Sequence, residues 1–186
     1  MGQYYKPVLI SEPGTIRNFL PHNYHEGAKL MEHSYIGNGF VADVLRHLAE
    51  CPQRLYWIGD YAERRDFFNP TKPLSEKEMK EVLSSKYEVA PTEDSVQWTF
   101  NNAYIINHEK KEYLKLEVGI LDMFQVCPLC LLTAVGNGKG GGDYFRENKD
   151  YVGIWAGDLI SLSYELPKDC AGMKDVTDVY VFLGDD

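Results

Sequence analysis

Residues 104–118 run Tyr-Ile-Ile-Asn-His-Glu-Lys-Lys-Glu-Tyr-Leu-Lys-Leu-Glu-Val, from Tyr104 to Val118. Aromatic and β-branched residues fill the first three positions, and apolar and polar residues alternate from Tyr113 onward. Between the two stretches stands a polar run, His108 to Lys111, of the kind that forms a turn. The pattern predicts neighbouring strands of one antiparallel sheet, and this sheet decides the fold class.

Further strand patterns lie on both sides of this hairpin. Residues 4–10 and residues 16–20, separated by a turn at Glu12-Pro13-Gly14-Thr15, predict a first hairpin. Residues 55–58 have the composition of a short buried strand that ends at Gly59-Asp60. Further strands are predicted around Trp98 and Phe100 and over residues 151–155, 159–164 and 179–183, which makes roughly eight strands.

Two segments carry helix signals instead. From Phe40 onward, apolar residues repeat at helical spacing, with Asn38 placed to cap the N-terminus and a proline placed to end the helix. Further along, Ser75 and Glu78 form a capping-box pattern at the start of a second, mostly solvent-facing helix. Two principal helices among these strands predict a single α+β globular domain over residues 1–186, built mainly on an antiparallel sheet.

The balance of charge excludes one large class of function. Nineteen Lys and Arg residues against 28 Asp and Glu residues give a formal net charge of −9. Nucleic-acid binding relies on clustered Lys and Arg, so neither DNA nor RNA is expected as a partner. No stretch reaches the roughly 18 apolar residues of a membrane span, and no signal-peptide pattern opens the sequence. These features predict a cytoplasmic protein without membrane association, with its four cysteines reduced.

The candidate ligand site is the stretch Val135-Gly136-Asn137-Gly138-Lys139-Gly140-Gly141-Gly142-Asp143-Tyr144. Glycine lets the backbone adopt positive φ and approach a bound group closely. Backbone N–H groups in such a loop can form an anion-binding nest, and Lys139, Arg146 and Lys29 are placed to neutralise a phosphate or carboxylate. The sequence therefore predicts a small anionic ligand, bound by residues 136–144 with Lys29 and Arg146. The alternative is a surface loop that only turns the chain.

A second polar cluster precedes the first helix, in the sequence His25-Glu26-Gly27-Ala28-Lys29-Leu30-Met31-Glu32-His33-Ser34. Histidine titrates near neutral pH, so His33 beside Glu32 is the candidate catalytic pair for acid and base chemistry. The intervals differ from those of a His-Glu-x-x-His zinc helix. The alternative is a capped turn that leads into the Phe40 helix, with His33 hydrogen-bonded in the core.

Gly-Asp pairs recur at the predicted strand ends. If Asp60, Asp143 and Asp158 converged at one sheet edge, they would supply oxygen ligands for Mg²⁺ or Ca²⁺, or a general base. Glycine and aspartate both favour turns, so the alternative is that each pair only ends a strand. No metal ligand is assigned from the sequence.

The motif Cys127-Pro128-Leu129-Cys130 has the spacing of half a structural zinc site or of a redox site. The remaining cysteines, Cys51 and Cys170, have no paired partner near them in the sequence. A four-cysteine site would need all of them to converge by folding. The leucines around the motif favour the alternative, in which the thiols are buried as small hydrophobic groups.

Three segments resemble parts of other sequences: Gly2-Gln3-Tyr4-Tyr5-Lys6-Pro7, Lys29-Leu30-Met31-Glu32-His33-Ser34, and Pro128-Leu129-Cys130-Leu131-Leu132-Thr133-Ala134 with the glycine-rich stretch after it. The chain resembles, over nearly its whole length, an uncharacterised family of bacterial and bacteriophage proteins. Members tend to carry histidine and proline where this chain has Cys127 and Cys130, which speaks against a zinc or dithiol site. No activity is established for the family, so the resemblance implies a microbial or phage setting and no catalytic residue.

Three functions follow from these patterns. The first is a binding protein that recognises a small anionic or nucleotide-like molecule through the glycine-rich stretch, and in a phage such a protein could sequester a host signal. The second is a hydrolase that uses His33 and Glu32 or a metal held by aspartates. The third is an acidic module that binds and inhibits another protein. No cofactor follows from the sequence.

Overall fold

A computed structural model describes residues 1–11, 15–18, 28–67, 74–84, 100, 102–116, 126–146 and 149–178 of the 186-residue chain. In these residues, helices pack on a mainly antiparallel sheet of eight strands. The α+β class predicted from the strand and helix patterns is therefore confirmed.

The sheet is crossed in the order β2-β1-β3-β7-β4-β5-β8, and β6 pairs with β3 as well. All strand pairs are antiparallel except β3–β6 and β5–β8. The strands are β1 (Tyr5–Ser11), β2 (Thr15–Asn18), β3 (Gln53–Gly59), β4 (Ala103–Asn107), β5 (Glu112–Leu116), β6 (Ala134–Val135), β7 (Leu159–Ser163) and β8 (Lys174–Asp175). The α-helices are α1 (Leu30–His33), α2 (Gly39–Glu50), α3 (Glu76–Ser84) and α4 (Pro128–Leu132). Short 3-10 helices lie at Arg64–Asp66, Lys149–Tyr151 and Lys168–Cys170.

Both principal helices begin where their caps predict. The side chain of Asn38 accepts a hydrogen bond from the N–H of Phe40 and starts α2. At α3, the N–H of Glu78 donates to Oγ of Ser75 (3.2 Å), and the N–H of Ser75 donates to Oε2 of Glu78 (2.9 Å). This reciprocal pair is a capping box, which satisfies two backbone donors that a helix start otherwise leaves without acceptors.

The hairpin β4–β5 is held by its turn. Asn107 is buried, and its Oδ1 accepts from the N–H groups of Glu109 (3.1 Å) and Lys110 (3.0 Å). Lys111 completes the reversal with a φ of +57°. The strands on either side then pair from Ala103 with Leu116 to Asn107 with Glu112, as the alternating sequence predicts.

The two faces of the sheet bury separate clusters. On the first face, Leu9, Leu55 and Trp57 pack with α2, where the rings of Phe40 and Trp57 lie 5.5 Å apart. On the second face, the alternate side chains of β1 and β3 form a smaller cluster, into which Phe67 and Leu74 pack: Val8, Ile10, Tyr56 and Ile58. Because side chains alternate along a strand, β1 and β3 contribute to both clusters.

One strand prediction is wrong. Residues 151–155 were expected to be extended, but they follow the 3-10 helix Lys149–Tyr151 as a series of turns. Gly153 has a φ of +82°, which a regular strand does not allow. The N–H of Gly153 also donates to the carbonyl of Leu131, at the end of α4. The predicted strand over residues 179–183, and Trp98, lie outside the described residues, and Phe100, which is described and buried, is not in a strand.

Candidate functional site

The glycine-rich loop, residues 136–143, closes around one of its own side chains. Oδ2 of Asp143 accepts hydrogen bonds from the N–H groups of Gly138 (2.7 Å), Lys139 (2.8 Å) and Gly140 (3.0 Å). Three successive N–H groups that converge on one oxygen form an anion-binding nest. The carboxylate of Asp143, which is 5% exposed, therefore occupies the nest that was predicted for an external anion.

The two ends of the loop are joined by Asn137. Its Nδ2 donates to the carbonyl of Tyr144 (2.9 Å), and its Oδ1 accepts from the N–H of Tyr144 (2.8 Å). Burial raises the pKa of Tyr144, and the nearby guanidinium of Arg146 opposes this rise. Arg146 thus lies just outside the loop, whose backbone is fixed from both ends by side chains of the loop region itself.

The loop also packs on the start of the chain. The N–H of Gln3 donates to the carbonyl of Gly141 (2.9 Å), and the N–H of Gly141 donates to the carbonyl of Met1 (3.1 Å). A Cβ added at Gly140 would lie 2.6 Å from Cβ of Gln3, which is closer than two carbon atoms can pack. Glycine at position 140 is therefore required for this close approach.

Lys139 is committed to an internal ion pair. Its Nζ contacts Oδ2 of Asp66 and donates to the carbonyl of Tyr61 (3.2 Å). The side chains of Lys139 and Asp66 are 24% and 19% exposed, so the pair is largely shielded from water. The cation predicted to neutralise a ligand instead fastens the loop to the segment after β3, which includes the first 3-10 helix.

The glycine-rich loop and the polar segment at α1 lie side by side. The N–H of Met31 donates to the carbonyl of Gly142 (3.0 Å), and a Cβ at Gly142 would lie 2.9 Å from Cδ of Lys29. Both carboxylate oxygens of Glu32 lie 2.8 Å from Nζ of Lys29. This hydrogen bond raises the pKa of Lys29 above its ordinary value. The structure thus brings together the two segments that were singled out separately.

His33 serves as a cap within α1. Its Nδ1 accepts a hydrogen bond from the N–H of Lys29 (3.1 Å). Burial lowers the pKa of His33, although the negative charge of Glu32 opposes the shift. This hydrogen bond agrees with the capped turn given as the alternative to catalysis, but His33 is partly exposed rather than buried in the core. A catalytic role for His33 and Glu32 stays a prediction.

The three aspartates named as a candidate metal site do not all converge. Asp60 and Asp143 both lie near Tyr5, whose pKa they help to raise. Asp158 precedes the β7 residue that pairs with Arg54, at the opposite end of β3 from Asp60. A seven-residue strand spans about 20 Å. Within the described residues, no three His, Cys, Asp or Glu side chains are grouped so as to hold a metal ion.

The two thiols of the Cys127–Cys130 motif are fully buried in the first-face cluster. A hydrogen bond from Cys130 lowers the pKa of Cys127, whereas burial raises the pKa of Cys130. Cys51 is exposed at the end of α2, and Cys170 is buried in the last 3-10 helix. Burial of the motif as small hydrophobic groups, the favoured interpretation of its sequence, is confirmed.

A cavity that the sequence did not indicate lies where β1 begins and β3 ends. It has a volume of about 210 Å³ and is lined by Tyr4, Tyr5, Lys6, Ile58, Gly59, Asp60 and Leu83. Asp60 is fixed at its wall, because its Oδ1 accepts from the N–H of Tyr4 (3.1 Å) and its own N–H donates to the carbonyl of Tyr4 (2.8 Å). Burial lowers the pKa of Lys6 from its ordinary value. The cavity therefore combines a partly buried cation, a carboxylate and apolar walls.

A wider and more open cavity adjoins it across Leu83. This second cavity has a volume of about 390 Å³ and is lined by Arg64, Glu76, Met79, Lys80 and Leu83. Arg64 and Glu76 form an exposed ion pair at 2.9 Å. We call the two cavities together the α3 cleft. Its residues come from β1, β3 and the residues next to them, from α3 and from a 3-10 helix, so no local sequence motif could have identified it.

A scan against models of protein families, a search of curated proteins and a search of solved structures each found no match to this chain. The resemblance to a bacterial and bacteriophage family therefore stays a prediction. None of the helices in the described part of the chain combines the length and the apolar character needed to cross a membrane.

Proposed function

We propose that this protein binds a small anionic molecule in the α3 cleft. The observation that carries the proposal is the position of Lys6, which lines the inner cavity and whose pKa is lowered by burial. Burial disfavours the charged ammonium group, and a neighbouring negative charge favours it. An anionic group in the cavity would therefore offset part of the free-energy cost of holding the Lys6 cation there.

The lining of the cleft supports a ligand that has an apolar body as well as a charge. Met79 and Leu83 line the outer cavity, and Ile58 and Tyr4 are among the residues that line the inner one. Taken together, the two cavities fall within the roughly 300–1,000 Å³ that is typical of small-molecule sites. An aromatic ring can stack on a flat base, and Lys6 can meet a phosphate. A nucleotide-like anion is the ligand class that fits this combination.

The glycine-rich loop has a supporting role in this proposal. Through Lys139, it fastens the segment that carries Tyr61 and Asp66, next to Arg64 of the outer cavity. Through Gly141, it fastens Gln3 directly before the tyrosines of the inner cavity. The loop would then orient both walls of the cleft, while its own N–H groups remain bonded to Asp143.

The test is calorimetric titration of the intact protein with inorganic phosphate and with a panel of nucleoside monophosphates. We expect saturable binding of at least one nucleotide, weakened about tenfold or more in Lys6→Met because one charge-assisted contact is lost. Lys29→Met is the matched control. It removes a lysine that lies against the glycine-rich loop, pairs with Glu32 and lines neither cavity, although Tyr4 of the inner cavity is near enough to affect its pKa.

Each outcome of this titration has a definite meaning. Binding that is lost in Lys6→Met and kept in Lys29→Met supports the α3 cleft. The reverse result would return the ligand to the glycine-rich loop, and no heat with any compound would reject the anion-binding function.

The bacterial or phage setting and the cytoplasmic location implied by the sequence belong to the same proposal. No contact among the described residues favours the hydrolase or inhibitor alternatives at the predicted positions.

A further inference from the structure

The turn between β4 and β5 brings a histidine onto a serine of the neighbouring strand. Nε2 of His108 lies 2.7 Å from Oγ of Ser161, which is in the middle of β7. The N–H of His108 donates to the carbonyl of Leu159 (3.0 Å), which fixes the turn against that strand. Both side chains are partly exposed. In the Nδ1–H tautomer, Nε2 accepts the serine proton, and this is the contact that activates a nucleophilic serine.

The surroundings of the ring favour its neutral form. Burial, and then the positive charge of Lys111, lower the pKa of His108, and the carboxylate of Asp169 opposes them. A lowered pKa keeps the imidazole neutral and able to accept a proton at neutral pH. When the ring takes up the serine proton, Asp169 would stabilise the resulting imidazolium. Asp169 approaches from the 3-10 helix Lys168–Cys170 on the connection between β7 and β8.

The surface beside Ser161 is aromatic. Ser161 is paired in register with Ile106, and Ile106 is paired in turn with Tyr113. Since side chains alternate along a strand, all three lie on the second face of the sheet, opposite the first-face cluster. Tyr104 lies on the same face, with its ring 6.0 Å from that of Tyr113 in an edge-to-face arrangement. This surface suits a flat or apolar group attached to the atom that the serine attacks.

We propose that Ser161 and His108 form a nucleophile–base pair that accepts an acyl group from an ester with an aromatic or apolar acyl chain. Oγ of Ser161 forms a bond to the carbonyl carbon and passes its proton to Nε2 of His108. The ester C–O bond then breaks, and the departing alkoxide takes that proton. Water completes the cycle by hydrolysing the acyl-serine. The pair lies outside the α3 cleft, so this proposal stands independently of the proposed ligand.

The test uses a fluorophosphonate probe on the intact protein. Attack by Ser161 on phosphorus releases fluoride and leaves a covalent adduct, which peptide mapping by mass spectrometry locates. We expect the adduct on Ser161 and a labelling rate about 100-fold lower in His108→Gln, because general-base catalysis contributes roughly 10²–10⁴-fold. Burst release of p-nitrophenol from p-nitrophenyl butyrate should fall in parallel.

Ser163→Ala is the matched control. Ser163 lies two residues further along β7 and donates to the carbonyl of Glu165 rather than to an imidazole. Its removal should leave both labelling and ester cleavage unchanged. An adduct on another residue, no adduct at all, or equal labelling of wild type and His108→Gln would overturn the proposal. Because mapping is done on the wild-type protein, the outcome does not depend on whether Ser161→Ala folds.

Discussion

The hydroxyl of Tyr5 donates a 2.9 Å hydrogen bond to Oδ1 of Asp143, which lies 138 residues further along the chain. Oδ2 of the same carboxylate accepts the three N–H groups of the glycine-rich loop. Burial, and then the negative charge of Asp143, raise the pKa of Tyr5 well above its ordinary value, so the phenol stays protonated as a donor. One buried carboxylate therefore joins β1 to the loop and satisfies four donors at once.

Replacing Asp143 should be among the most destabilising single substitutions around the glycine-rich loop. Asp143→Ala leaves three converging N–H groups and the Tyr5 hydroxyl without their acceptor, and we expect a loss of about 3 kcal/mol or more in the free energy of unfolding. Urea denaturation monitored by far-UV circular dichroism measures the loss. Asp60→Asn, which alters an exposed carboxylate with a single N–H donor at 3.1 Å, should cost less than about 1 kcal/mol.

The same variant allows the nest to be tested directly. Removal of the carboxylate in Asp143→Ala leaves space lined by N–H donors, and formate is small enough to enter it. We expect added formate to raise the stability of Asp143→Ala more than that of wild type, since a ligand stabilises only the state that binds it. Chloride at equal ionic strength is the control. Equal stabilisation of wild type and Asp143→Ala by formate would contradict the interpretation of these N–H groups as an anion-binding nest.

Gly136 and Gly138 should respond differently to the same substitution. Both have positive φ, at +88° and +92°, so alanine is strained at either position by about 1–3 kcal/mol. A Cβ at Gly136 would also lie 2.9 Å from Cα of Ala62, whereas at Gly138 no atom lies within 4 Å. Gly136→Ala should therefore be less stable than Gly138→Ala by a further 1–3 kcal/mol or so. Equal melting temperatures for the two variants would show that Ala62 moves away from the added Cβ without a loss of stability.

Local signals were enough to predict much of this fold. The Asn38 cap, the Ser75–Glu78 capping box and the alternation in β4 and β5 each act over a few residues, so the sequence displays them directly. Residues 151–155 show the limit of such reasoning. Their apolar composition suggested a strand, but contacts with α4 and the positive φ of Gly153 turn the chain instead.

The candidate site was harder to predict, for a physical reason. The sequence correctly marked the glycine-rich loop as a nest, but an aspartate inside the loop fills it, and the pattern alone does not distinguish an internal anion from an external one. Lys139 is likewise paired with Asp66, which lies 73 residues away in the chain. The cavity at Lys6 depends on β1 meeting Leu83 of α3, a contact that no local spacing encodes.

His33 should make the protein less stable as the pH falls below neutrality. Its folded pKa is lowered, so the unfolded chain binds a proton more readily than the folded one. The stabilising contribution is complete above the unfolded pKa of about 6.5 and is lost as the pH falls through the lower folded pKa. Protonation of Nδ1 would also break the hydrogen bond from Lys29.

His33→Asn tests this linkage, because asparagine keeps a side-chain acceptor but does not titrate. Urea denaturation at pH 7.5, 6.5 and 5.5 measures the free energy of unfolding. As the pH falls, this free energy should decrease less in His33→Asn than in wild type, and the two proteins should be similarly stable at pH 7.5. His33→Ala, which loses the hydrogen-bond acceptor, should already be less stable than wild type at pH 7.5. If the free energy of unfolding depended on pH in the same way in wild type and His33→Asn, protonation of His33 would not be linked to folding.

Arg54 and Glu109 should behave as a coupled pair. Two guanidinium nitrogens of Arg54 reach the two carboxylate oxygens of Glu109, at 2.6 and 3.2 Å, and Arg54 also donates to the carbonyl of Gly157. Burial would raise the pKa of Glu109, but hydrogen bonds with Arg54 and Asp158 outweigh it, so this pKa lies below its ordinary value. The side chains of Arg54 and Glu109 are only 12% and 21% exposed, so water screens the pair weakly.

A double-mutant cycle of Arg54→Met and Glu109→Gln should therefore give a coupling free energy of about 1–3 kcal/mol. Arg54→Lys should recover little of it, because lysine lacks the planar fork that reaches both oxygens and the Gly157 carbonyl together. Arg64 and Glu76 provide the matched comparison, since their side chains are 70% and 80% exposed at a similar distance of 2.9 Å. Their cycle should give less than about 1 kcal/mol, because solvent screens an exposed pair. Equal coupling in the two cycles would mean that burial of the Arg54–Glu109 pair adds nothing to its strength.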